Sequence, residues 1–231
     1  MKKLVLLFIV LLSCTATARE KIRVACIGDS ITFGAVLSDR ATNSYPSVLQ
    51  GLLGDKYEVR NFGNSGRCVI KTSKRGSQPR AYFFMKEHQD ALEFKPNIVI
   101  CNLGINDLMD YEKKFAEFVP DYKELLNQYR ELETNPKILV WHKMSPLMQG
   151  QRFYGSATIA KINGAIEETV KQLNTKKLRK KYRSISTIDM SEPLNDPMYF
   201  TSDKIHPNEL GAKKIAEETY KKLKKRKKRR K

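Results

Sequence analysis

An α/β fold, a three-layer α/β/α sandwich around a five-stranded parallel sheet, is predicted by three observations. Short apolar segments alternate with longer segments whose apolar residues recur at helical spacing. The resulting order, β-α-β-α-β-α-β-α-β-α, requires parallel pairing through right-handed crossovers. The run Asn97-Ile98-Val99-Ile100-Cys101-Asn102-Leu103 is nearly all apolar, as expected of a strand covered by helices on both faces. The chain has 231 residues, no internal repeat and no interdomain linker. That length suits one domain, taken here as 19–220.

Arg23-Val24-Ala25-Cys26-Ile27 reads as the first strand, breaking into the turn Gly28-Asp29-Ser30 and a helix-like segment. Tyr45 to Leu53 has helical spacing and stops at Gly54. Tyr57 to Asn61 is the second strand, ending in Phe62-Gly63-Asn64-Ser65-Gly66-Arg67. Pro79 to Phe94 reads as a helix with Tyr82 and Phe83 on its core face and His88 at the surface. After the third strand, Tyr111 to Leu132 is helical, with an interruption predicted near Pro120. Lys137 to Trp141 is the fourth strand, and 142–156 a loop. Ala157 to Leu178 is an amphipathic helix with Ile159, Ile162, Ile166, Val170 and Leu173 on one side. Ser184 to Asp189 is the fifth strand, and Pro207 is predicted to open a last helix reaching Leu223.

Both ends of the chain are unlike its body. Met1-Lys2-Lys3, the apolar Leu4 to Leu12 and Ala16-Thr17-Ala18 form the pattern of an export signal over 1–18. Nine apolar residues are too few for a membrane span, which takes about 20. Leu11-Leu12-Ser13-Cys14 also resembles a loose bacterial lipobox, so lipidation at Cys14 is the alternative to plain export. The net charge is +18, but ten basic residues lie in the tail 221–231, and without them it is +8. The tail is read as disordered, either solvated or held against an anionic surface. Nucleic acid is not expected as a partner of an exported protein. Cleavage after Ala18 leaves Cys26, Cys68 and Cys101, an odd number with no metal-like spacing, so at least one thiol stays free or pairs between chains.

Four stretches fall at ends of the predicted strands or before the last helix: Gly28-Asp29-Ser30, Gly63-Asn64-Ser65-Gly66, Gly104-Ile105-Asn106-Asp107 and Asp203-Lys204-Ile205-His206. In a parallel sheet they converge on one edge, where open α/β sheets bind ligands. A serine after a strand is by itself ordinary turn or cap chemistry. Together the four supply the parts of serine acyl transfer: Ser30 as nucleophile, His206 as base and Asp203 to orient it. Gly66 supplies a backbone N–H and Asn106 a side-chain N–H for the oxyanion. Asp29 and Asp107 are read as bonding turn backbone. No G-x-S-x-G elbow occurs.

These four blocks, in this order from about Arg23 to Ala216, resemble those of the SGNH hydrolases, also called the GDSL esterase/lipase family. The usual Leu of the first block is Ile31 here. The resemblance implies a flavodoxin-like fold, no required metal or other cofactor, and an oxyanion hole formed by the Ser30 and Gly66 N–H groups with Asn106. The whole pattern is most similar to exported esterases that deacetylate carbohydrates, such as sialate, xylan and pectin acetylesterases. An acetylated carbohydrate, or another ester, is therefore the expected substrate. Arg67 and His142 are candidate substrate contacts, and Arg67, Lys71, Lys74, Arg75 and Arg80 form a basic set that an acidic glycan would suit. The alternatives are a lysophospholipase or thioesterase for longer acyl chains, which needs an apolar groove, and a non-catalytic glycan-binding module.

Overall fold

The structure is a computed structural model that describes residues 20–143 and 156–225. The predicted export signal, the lipidation alternative at Cys14 and most of the 142–156 loop lie outside the described residues.

One parallel sheet carries the fold. Its strands are β1 (Ile22–Gly28), β2 (Tyr57–Gly63), β3 (Ile98–Asn102), β4 (Lys137–Lys143) and β5 (Ser186–Asp189). The spatial order is β2-β1-β3-β4-β5, every neighbour parallel. That is the flavodoxin-like order, and its direction reverses between β1 and β3. The loops after these two strands lead off to opposite sides there, at the sheet's carboxyl edge. Val24 to Ile27 in β1 and Val99 to Cys101 in β3 are fully buried, so the middle of the sheet is the middle of the core.

The helices are α1 (Ser30–Phe33), α2 (Arg40–Asn43), α3 (Tyr45–Leu53), α4 (Lys86–Glu93), α5 (Tyr111–Arg130), α6 (Ser156–Leu173), α7 (Lys176–Lys181) and α8 (Glu209–Lys224). All five residues of the apolar stripe predicted for 157–178 are buried. That segment is nevertheless two helices. Asn174 leaves the helix to exchange two hydrogen bonds with the Ile185 backbone, each 2.9 Å, and Thr175 caps α7.

Several other expectations are corrected. Residues 79–94 form a 3₁₀ turn, Tyr82–Phe84, then an extended Met85, and only then α4. Tyr82 is core as predicted, its hydroxyl donating to the Phe62 carbonyl at 2.6 Å. His88 is not at the surface. It is fully buried, with Nδ1 2.9 Å from the Tyr129 hydroxyl and Nε2 2.7 Å from Gln128 Oε1. Burial holds its pKa below the ordinary value. The Pro120 interruption does not occur, and α5 is continuous. Pro120 and Ala116 are both exposed, so the carbonyl that proline leaves unbonded faces water. Pro207 lies before α8 in a bridge with Phe200, and Asn208 is the cap, its side chain accepting from Gly211 N. The tail's first residues, 221–224, are the last turn of α8.

Cys26, Cys68 and Cys101 are buried and unpaired. Burial pushes each thiol up to about 12, so they are inert packing groups. No group of three or more His, Cys, Asp or Glu side chains among the described residues is placed to hold a metal ion.

Candidate active site

The site is built where β1 breaks. Asp29 caps α1 by accepting from Ile31 N at 3.0 Å, and this turn lifts Ser30 to the carboxyl edge of β1. The turn lies close against β2. A Cβ on Gly63 would stand 2.2 Å from Phe33 N, so only glycine lets the two backbones approach. Asn61 closes the join by donating to Thr32 O at 2.7 Å and accepting from Gly63 N at 2.9 Å.

Ser30, His206 and Asp203 come together as the sequence predicts. His206 Nε2 is 2.8 Å from Ser30 Oγ, and His206 Nδ1 is 2.6 Å from Asp203 Oδ2. The two carboxylate oxygens divide their work. Oδ2 meets the imidazole, while Oδ1 accepts from Thr201 Oγ1 at 2.8 Å, Ile205 N at 2.8 Å and His206 N at 2.9 Å. Partial burial opposes ionisation of Asp203, but these bonds outweigh it and hold the carboxyl at about 2. Lys204 takes a positive φ of 55°, which bends the chain so that both following N–H groups reach Oδ1. Thr201, whose N–H donates to the His206 carbonyl at 2.9 Å, is a supporting residue that the sequence reading missed. Its only sequence signal is a hydroxyl two residues before Asp203.

The second and third blocks are joined to this turn. Asn64 N donates to Gly28 O at 3.0 Å, which brings the Gly66 turn beside the end of β1. Gly66 has φ +76°, and a Cβ there would meet nothing within 4 Å. The left-handed backbone selects glycine here, not crowding around its N–H. Asn106 Nδ2 is 3.0 Å from the Arg67 carbonyl and 3.4 Å from Asp29 Oδ2. The amide is thus held by the neighbouring block, and its contact with Asp29 is the longer of the two. Asp107 ties the same blocks from below, its Oδ1 accepting from Val69 N at 3.0 Å and Ile70 N at 2.9 Å. Asp29 and Asp107 thus bond turn backbone, as expected. Burial raises each to about 7, against the bonds from Ile31 to the first and from Ile70 and Val69 to the second.

The candidate substrate contacts are engaged elsewhere. Arg67 Nε donates to Asn64 Oδ1 at 2.8 Å and Nη1 to Pro79 O at 3.1 Å, so its guanidinium braces the loop. His142 Nε2 is hydrogen bonded to Glu167 of α6, and none of its described bonds reaches the triad. Of the other basic residues, Lys71 is paired with Glu124 at 2.8 Å and Arg80 is buried. Of this basic set only Lys74 and Arg75 are exposed.

Two cavities flank the triad loop. One touches Ser30 and His206, has apolar walls that include Ile31, Ala35, Leu37 and Ile215, and takes no more than a water-sized group. The other, of about 370 Å³, is lined by Pro197, Phe200, Thr201, Ser202 and Lys204, the last two flanking Asp203 in the chain.

The chain is 33% identical over 224 residues to an acetylxylan esterase of Xylanibacter ruminicola, covering 89% of this chain but 44% of that protein. It therefore spans less than half the length of this curated relative. Its fold is similar to a solved acetyl xylan esterase (TM-score 0.63, 18% identity, 87% of this chain and 100% of that one). It is also similar to a carbohydrate acetylesterase from Sinorhizobium meliloti (TM-score 0.65, 16% identity, 88% and 98%). The profile described as the GDSL-like Lipase/Acylhydrolase family matches residues 26–214, which is most of the chain and includes all four blocks. The chain belongs to the GDSL-like lipase/acylhydrolase family.

Proposed function

We propose that this protein is a serine esterase that removes O-acetyl groups from a carbohydrate through an acyl-enzyme. The observation that carries the reading is the His206 ring, bonded to Ser30 on one side and to Asp203 on the other. Nε2 takes the Ser30 proton as Oγ attacks the ester carbonyl. Asp203 keeps the other ring proton on Nδ1 and stabilises the imidazolium. The tetrahedral oxyanion is bound by the Ser30 and Gly66 N–H groups and by Asn106 Nδ2. His206 then protonates the leaving alcohol, the acyl-enzyme forms, and water activated by His206 releases the acid.

The choice of acetyl rests on a neighbouring cavity and on relatives. The cavity beside Asp203 has the volume of a small ligand site, with an aromatic ring, hydroxyls and one lysine, which suits a sugar. The acetylxylan esterase relative points the same way. The test is acetate release from a panel of acetylated glycans. Release from at least one is expected. Hydrolysis of p-nitrophenyl decanoate faster than the acetate, with no glycan deacetylated, would replace this reading with a long-chain acyl hydrolase. A lack of hydrolysis of any ester would leave a glycan-binding module.

We also propose that the chain is exported, on the pattern at 1–18. Amino-terminal sequencing of the protein recovered outside the cytoplasm is expected to begin at Arg19. A lipid-modified terminus at Cys14 would instead establish anchoring, and an intact Met1 in the cytoplasm would sink both.

A further inference from the structure

Asn106 can serve an oxyanion only if the turn that carries it is held still, and Arg80 is a second buried side chain, beside Asp107, that holds it. Asn106 lies in a 3₁₀ turn, Ile105–Asp110. Its backbone carbonyl accepts from Arg80 Nη2 at 3.1 Å. Arg80 Nη1 donates to Asp110 Oδ2 and to Ser73 Oγ, each at 3.2 Å, and Nη2 also reaches Met109 Sδ at 3.4 Å. The Ser73 hydroxyl in turn donates to Asp110 Oδ2. Arg80 is 7% exposed. Its own backbone is fixed, with N donating to Ser73 O at 2.9 Å and O accepting from Cys68 N at 3.2 Å.

This arrangement grips Asn106 at two points. Arg80 holds its carbonyl, and the Arg67 carbonyl holds its side-chain amide. Both holding groups belong to the 67–80 loop that follows Gly66, so the loop of one oxyanion donor sets the position of the other. A planar guanidinium reaches several acceptors in fixed directions, which an ammonium does not. Burying a guanidinium with one carboxylate is weak support for stability, because desolvation offsets the attraction, and an apolar side chain fills such a space more cheaply. Fixed geometry is what the arginine adds.

We propose that Arg80 is a positioning residue for the oxyanion hole, acting on the reaction through Asn106. The inference rests on the serine-esterase reading and on Asn106 as an oxyanion donor. It is tested with kcat and KM for p-nitrophenyl acetate in wild type, Arg80→Lys, Asn106→Ala and the double variant. Arg80→Lys is expected to lower kcat about tenfold with KM within about twofold, and to cost less than about twofold when Asn106 is already alanine. The same loss in both backgrounds, or none in the first, would overturn the proposal and make Arg80 a loop brace. If Arg80→Lys does not fold, Asp110→Asn loosens the guanidinium while keeping an acceptor; its kcat loss must likewise vanish with Asn106→Ala, and an equal loss in both backgrounds overturns the proposal. An Asn106→Ala variant as fast as wild type would overturn it too, and would mark the oxyanion reading as the part that failed.

Discussion

Replacing Ser30 with alanine is expected to lower kcat on p-nitrophenyl acetate and on the acetylated glycan by about 10⁶-fold, the scale seen when a triad nucleophile is removed. The side chain removed is one hydroxyl, 92% buried with its residue and hydrogen bonded to His206 Nε2. Its loss leaves the imidazole with solvent as its remaining partner at that atom and opens no cavity large enough to matter. The thermal midpoint is therefore expected to stay close to that of wild type, and the loss is one of chemistry. Steady-state assays beside a melting curve check this. Turnover within about tenfold of wild type would remove Ser30 from the mechanism, and with it the serine-esterase reading.

Asp203→Asn is expected to lower kcat by about 10⁴-fold with the loop intact. The reason lies in how the carboxylate oxygens are used. Oδ1 is fixed by three donors, Thr201 Oγ1, Ile205 N and His206 N. An asparagine must keep its carbonyl oxygen there, because an amide nitrogen would face three donors. Its N–H₂ then occupies the Oδ2 position and donates to His206 Nδ1. The ring proton moves to Nε2, where it faces Ser30 Oγ, and the histidine can no longer accept the serine proton. The imidazolium that follows attack also loses its counter-charge, which the wild type keeps ionised with a pKa of about 2. A downfield NMR proton on His206 Nδ1 is expected in wild type and its absence is expected in the variant. A variant within about tenfold of wild type, with that proton still present, would show that Asp203 does not control the tautomer.

These two residues, and Gly66 and Asn106, were legible in the sequence because each lies where a strand or helix begins or ends. Local patterns mark such places well: an apolar run that stops at glycine, or a short polar block before an amphipathic segment. What the local pattern missed was long-range. His88 has nothing around it in the chain that marks it as buried. Its partners, Gln128 and Tyr129, are 40 and 41 residues away on α5. The predicted helix from 79 to 94 failed for a related reason: the aromatic residues that look helical in spacing pack into the core from a 3₁₀ turn. Pro120 was over-read, since its cost depends on whether the unbonded carbonyl is wet.

The basic loop shows the same division more sharply. Arg67 and Arg80 were read from the sequence as cations available to an acidic substrate, because charge is the property that composition reveals. In the folded chain both guanidinium groups are occupied by backbone carbonyls and side-chain oxygens of the loops around the site. A buried polar group must find a partner, and which partner it finds depends on which loops the sheet brings together.

By itself the sequence determined the alternation of strands and helices, the parallel sheet that follows from it, and the four blocks of the candidate site. These depend on local periodicity, on glycine at turns and on the handedness of crossovers, all of which act over a few residues at a time. The strand order, which the resemblance implied and local pattern alone does not contain, is seen in the tertiary structure, and only that structure decided that the loop after Gly66 clamps the turn of Asn106. Strand order and the pairing of buried polar groups are settled by packing between segments far apart in the chain, and no local pattern contains them.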